Sequence, residues 1–132
     1  MLSAEFTCSV GYDQDIPCVT MVLKGYATSP LFRETNERVL ACIKEKKASQ
    51  ILGDLRDFIL IGAVDQDWLN DVWIPRAMEA GLRRVALVQP SYYFNRVAVE
   101  NVTGRTDRTR LAVAYFEDSD AARRWLGIDR PV

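Results

Sequence analysis

The chain has 132 residues, 48% of them apolar, and a formal net charge of −1. That length suits one domain over residues 1–132, able to bury roughly 65–70% of its unfolded surface. Acids and bases are interspersed and there is no histidine, which argues against general nucleic-acid or membrane-surface binding and removes histidine-based catalysis, metal ligation and phosphotransfer.

Residues 4–10 alternate, with Phe6, Cys8 and Val10 facing one way, which is the pattern of a half-buried strand. A polar turn over residues 11–15 leads to a second strand over 17–24, with Val19, Met21 and Leu23 on one side, so the pair reads as an antiparallel hairpin. Ser29-Pro30 then marks a helix start, the hydroxyl as cap and the proline at the first helical position. This helix runs to about Lys47, with an apolar stripe of Phe32, Val39, Leu40 and Ile43.

The third strand spans Gln50 to Arg56, and Gly53 within it allows a close approach by a neighbouring element. Asp65 is the expected cap of a second helix, with an inward stripe of Leu69, Val72, Trp73, Ala77 and Ala80 and a stop at Gly81. Pro75 lies inside it and should kink or split it. Arg84 to Gln89 is a continuous apolar strand closed by Pro90, and Ser91 starts a third helix that stops at Gly104, with Phe94, Val97, Ala98 and Val102 inward. Arg105, Arg108 and Arg110 follow as the one basic concentration, either a solvated loop or a contact for phosphate or an acidic partner. Leu111 to Phe116 is the last strand; Asp118 or Ser119 caps a helix carrying Ala122, Trp125 and Leu126, which Gly127 stops.

The order is therefore β-β-α-β-α-β-α-β-α, an α/β chain with a five-stranded, mostly parallel sheet and an antiparallel N-terminal strand. The widely spaced Cys8, Cys18 and Cys42 fit reduced thiols in a cytoplasm and do not fit a zinc site. With no leader-like segment and no apolar run near about 18 residues, a signal peptide and a spanning helix are not expected.

This element order, with Asp54-Leu55 closing the third strand and an acid at Asp65 opening the next helix, resembles the anti-sigma-factor antagonist (STAS) domain family. The segment from Trp73 to Ala77, followed by Gly81 and an apolar strand, resembles a divergent bacterial branch of that group. The resemblance implies strands side by side in chain order, helices mainly on one face, and a protein-interaction role without catalysis. Family members are typically switched by phosphorylating a serine or threonine just after the aspartate that opens the second helix. Here Asp65 is followed by Gln66, Asp67 and Trp68, and no hydroxyl residue occurs between Gln50 and Gly81. Asp67 places a permanent charge near a helix N-terminus, either as a capping aid or as a fixed imitation of the phosphorylated state.

Several side chains stand out as candidates for binding. Asp54 and Asp57 straddle Arg56 at the carboxyl end of a parallel strand, where open α/β sheets place ligands. They would serve as a metal or acid–base pair, or simply pair with Arg56 and cap the turn. Ser91 lacks any activating base and reads as a helix cap, while Tyr92 and Tyr93 either form a recognition surface or pack over the sheet end. Trp68, in the first turn of the second helix, is either an exposed interface anchor or packed within the chain. The leading expectation is a non-enzymatic module binding a protein partner or a second copy of itself through residues 57–68, with Tyr92 adjoining. The alternative is a carrier of a small ligand, a nucleotide or a lipid, with its pocket at Asp54, Arg56, Tyr92 and Tyr93. Neither a metal nor a cofactor is expected.

Overall fold

The computed structural model describes residues 6–59, 62–91, 93–104 and 110–128, without the side chains of residues 93–95, 103 and 128. Strands β1 (Thr7–Asp13) and β2 (Cys18–Gly25) form the expected antiparallel hairpin, Thr7 opposite Lys24 and Asp13 opposite Cys18. β1 runs three residues past its expected end because Tyr12 continues the inward set of Phe6, Cys8 and Val10 against the core. The turn falls instead after Asp13, whose Oδ1 accepts the backbone N–H groups of Asp15 (2.9 Å) and Ile16 (3.2 Å).

Asp13 also accepts from the guanidinium of Arg123, and that bond holds its carboxyl below the usual carboxylate range. A carboxylate depressed in the folded state adds stability above the unfolded value of about 4 and loses it as pH falls through the lower folded value. Asp13→Asn should therefore be less stable than the parent at neutral pH. The two urea midpoints should converge in acid, and parallel midpoint curves down to low pH would contradict the pairing.

Helix α1 (Ser29–Lys46) buries Phe32, Val39, Leu40 and Ile43 as the stripe predicts. Its start differs from expectation. Thr28 holds the cap position without a side-chain cap bond, and Ser29 is the first helical residue. Lys47 closes the helix in the left-handed conformation (φ 53°). Strand β3 (Gln50–Phe58) is two residues longer than expected, and a bulge near its end sets four residues, Asp54 to Asp57, against three, Val22 to Lys24, of β2. The expected second helix is split into α2 (Ala63–Trp68), a π-helical turn over Leu69–Trp73, and α3 (Ile74–Glu79). Pro75 has no N–H to donate, and the wide turn just before it, where Ile74 N–H reaches Leu69 C=O, absorbs the broken ladder. That turn also shifts the helical register, so Trp73 and Ala77 point inward as expected but Val72 does not and is 41% exposed. The remaining elements are β4 (Arg84–Val88), α4 (Tyr93–Gly104), β5 (Ala112–Phe116) and α5 (Ser119–Ile128). Asp118 is the cap of α5, its Oδ1 accepting Ala121 N–H at 2.8 Å. Gly127 lies within the last turn of α5 and does not stop it.

The sheet order is β1-β2-β3-β4-β5, with every pair after the hairpin parallel. Each crossover from β2 to β5 steps the same way, and right-handed crossovers then put their helices on one face. Accordingly α1, the α2–α3 segment and α4 cover one face, packing on Val19, Leu23, Ile51, Leu55, Leu87 and Val113. Helix α5 covers the other face, with Ala122 and Leu126 packed on Cys18, Leu52, Ala86 and Val88. Burial there pushes the Cys18 thiol up to about 11, so it is inert packing. Gly53 is needed where β3 is crossed by side chains: a Cβ would lie 3.0 Å from Leu87 Cδ2 and 3.1 Å from Met21 Cε.

Candidate functional site

The carboxyl ends of β2, β3 and β4 gather the charged candidates. The bulge in β3 leaves Arg56 and Asp57 exposed in succession and turns the Arg56 carbonyl toward Ser91, whose N–H donates to it at 3.2 Å. Arg56 folds back on Asp54 as a fork: Nε to Oδ1 at 3.1 Å and Nη2 to Oδ2 at 2.7 Å, with the Arg56 backbone N–H also on Oδ1 at 3.1 Å. That bond holds the Asp54 carboxyl below its usual range. Of the two sequence-level readings, this is the pairing one: a carboxylate committed to a bidentate arginine is a poor proton acceptor and a poor metal ligand. Asp57 lies opposite Lys24 in the register and is exposed. Among the described residues, no three Asp, Glu or Cys side chains converge as a metal site.

Ser91 is exposed and lies two residues before α4, so it does not open that helix as expected. Tyr92 and the Tyr93 side chain, like Arg105 and Arg108, lie outside the described residues.

A second cluster forms where α1 meets α2. Asp65 was expected at the helix cap, but Gly62 holds that position and Asp65 sits in the first turn, 6% exposed. Its carboxylate turns inward onto α1. Ser29 Oγ donates to Oδ2 at 2.8 Å, and Arg33 Nε approaches Oδ1 at 3.4 Å. No hydroxyl lies between Gln50 and Gly81 in the sequence, so the one that meets Asp65 comes from the start of α1. Trp68, read as an exposed anchor or as internal packing, is the latter. It meets Phe32 edge-on at 6.4 Å, with the Arg33 guanidinium 5.2 Å from its ring centroid. Among the described residues, the large apolar side chains exposed on this segment are Val64, 70% exposed, and Val72. Asp67 is exposed beside a surface depression that it lines with Ala63, Gln66 and Asn101.

Two features had no reading in the sequence. Asn36 sits on the apolar stripe of α1, 5% exposed, and its carbonyl accepts the Trp73 indole N–H at 2.7 Å. Beneath it, between the sheet and α1, the π turn, α3 and α4, lies an apolar cavity of about 120 Å³. The carrier reading placed a pocket at the strand ends; this cavity lies between the sheet and its helices. The available signal was the polar Asn36 at the helical spacing of Phe32 and Leu40.

Sheet order, hairpin and helix placement define a SpoIIAA-like, STAS-like α/β fold. It is shared, with a TM-score of 0.65 and 18% identity, with an uncharacterised protein from Shewanella loihica PV-4 of the DUF3478 family, over 96% of this chain and 98% of that one. An anti-sigma factor antagonist from Mycobacterium paratuberculosis matches with a TM-score of 0.59 and 11% identity, over 95% and 98% of the two chains. No protein-family model and no curated protein matches the sequence. Among the described residues, no helix is long and apolar enough to cross a membrane.

Proposed function

We propose that this chain is a regulatory module without catalytic activity, acting in the cytoplasm by binding a protein partner through residues 57–72. The observation that carries this reading is the exposure of Val64 (70%) and Val72 (41%) on one short helical segment. Exposed Asp57, Asp67 and Asp71 flank them, so the surface suits a protein with an apolar contact and a basic rim and repels nucleic acid. A fold shared with an anti-sigma factor antagonist, which by its name acts on another protein, supports the same reading. The three free thiols fit a reducing compartment. Control of this surface does not run through a phosphorylated residue between Gln50 and Gly81, where none can be formed on a hydroxyl.

The test compares the parent chain with Val64→Asp and Asp57→Ala. Both are surface substitutions and should shift folding stability by no more than about 0.5 kcal/mol. Val64→Asp should weaken partner binding at least about tenfold, and Asp57→Ala less, in affinity capture followed by titration with the purified partner. Sedimentation velocity on the same proteins reads whether the partner is a second copy. If both variants retain parent-like capture and self-association, residues 57–72 are not the contact surface.

A further inference from the structure

We propose that the contact surface extends from α2 and the π turn onto the start of α1, and that its partner is a short, basic, amphipathic segment of another protein. This rests on the reading of residues 57–72 as a protein-binding surface. It adds the anchors Tyr26 and Leu31 and the chemistry of the occupant.

The placement of the exposed apolar side chains carries the extension. Among the described residues, four large ones are exposed: Tyr26 (55%), Leu31 (43%), Val64 (70%) and Val72 (41%). They come from separate stretches of chain, yet the fold gathers them. Tyr26 follows Gly25, the last residue of β2, whose carbonyl accepts the Ile59 N–H at 3.0 Å just past β3. Leu31 stands in the first turn of α1, two residues after Ser29, whose hydroxyl donates to Asp65 at 2.8 Å. Val64 is the chain neighbour of Asp65. These two contacts tie the start of α1 to the start of α2. Among the described residues, α3, α4 and α5 carry no exposed large apolar side chain. Apolar side chains gathered in one region of the surface mark a contact site. Tyr26 is the largest of the four, and its amphipathic ring suits it to anchor a partner.

Area and charge choose the occupant. Four partly exposed side chains offer on the order of a few hundred Å² of apolar surface, well below the roughly 800 Å² per partner of a stable dimer. A short segment fits that area better than a second copy. Exposed Glu34 lies one turn beyond Leu31 on α1, and exposed Asp71 adjoins Val72. Exposed Asp57 stands near the end of β3. Against these acids are exposed Lys24 and Arg56, and Arg56 is already forked on Asp54. Two copies meeting through this face would bring acids together, and an anionic lipid surface would be repelled. Lysine or arginine flanking a few apolar residues matches both the patch and its rim.

The experiment is an amide-detected NMR titration of the whole chain with a short leucine–lysine amphipathic peptide and, separately, its leucine–glutamate counterpart. Saturable shifts are expected with the lysine peptide at Tyr26, Leu31, Val64 and Val72, and none with the glutamate peptide at the same concentrations. Tyr26→Ala should weaken the lysine peptide at least about fivefold, and Leu31→Gln by a smaller factor. Should Tyr26→Ala not fold, Leu31→Gln decides the extension. Val64→Gln tests residues 57–72 by themselves. If it weakens the peptide while folded Tyr26→Ala and Leu31→Gln do not, the extension is overturned and the surface over 57–72 stands. Parent-like binding by Val64→Gln removes the underlying reading and the extension with it. Absence of saturable shifts, shifts confined to other residues or equal binding of the glutamate peptide would each overturn the proposal. So would a dimer in sedimentation velocity, or flotation with phosphatidylglycerol vesicles, that Tyr26→Ala abolishes.

Discussion

Trp73→Ala is expected to destabilise the domain by about 3–5 kcal/mol, the range for deleting a large aromatic from a core. Trp73 is 6% exposed and comes from the π turn, where its ring closes the space between α1 and the sheet. Removing it joins new empty volume to a cavity already present, so collapse onto the gap cannot recover much. It also strips the indole N–H from the Asn36 carbonyl, which the helix leaves buried. Trp73→Phe separates the two effects. It keeps most of the apolar surface and loses the bond, and should cost about 1–2 kcal/mol. With total stability of about 5–15 kcal/mol, the alanine variant approaches the threshold of folding. Its urea midpoint should fall by about 2–3 M for an m-value near ~1.5 kcal/mol/M. A drop of less than about 1 M would mean that α1 and the π turn are not held together by this ring.

Period and punctuation made most of the fold readable. The inward residues of β1, the stripe of α1 and the strands β4 and β5 follow from alternation or continuous apolar character, because burial against one sheet face selects those spacings. Chain-order adjacency then makes the helix placement follow from crossover handedness. What could not be read depends on partners far apart in sequence. Ser29 looked like a cap because Ser-Pro is a local signal, yet its hydroxyl is taken by Asp65, 36 residues away. Asp65 looked like a cap for the same local reason. Val72 was placed inward by a 3.6-residue period that the π turn breaks, and although Pro75 announced a disruption, its form was not deducible from the proline alone.

The candidate site was less legible than the fold. Asp54, Arg56 and Asp57 are together as expected, but the fork between Asp54 and Arg56 uses the acid that a catalytic or metal-binding reading would need. Trp68 was expected in a first turn but is the last residue of α2, and only the position of Phe32 and Arg33 on a different helix decides that it packs within the chain. The cavity has no sequence signature, since a void is defined by which side chains fail to meet. Asn36, one of two buried polar residues on α1, was its trace.

Ser29→Ala should cost about 1.5–3 kcal/mol, although Ser29 itself is exposed. The reason lies with its partner. Asp65 is buried, and the Ser29 hydroxyl at 2.8 Å is its shorter contact, the Arg33 approach being 3.4 Å. Losing the hydroxyl leaves a buried acid held by a half-exposed arginine and by the dipole of a six-residue helix. Asp65→Ala removes the acid as well, so the Ser29→Ala/Asp65→Ala pair should show a coupling energy of about 1–2 kcal/mol in a double-mutant cycle by urea unfolding. Surface capping by Ser29, the reading from sequence, predicts additive effects instead. The same bond fixes how the first turn of α2 sits on α1, and Val64 stands in that turn. Ser29→Ala should therefore also weaken partner binding beyond what its folded fraction explains. Parent-like binding by the fully folded variant would show that α2 holds its contact surface without the help of α1.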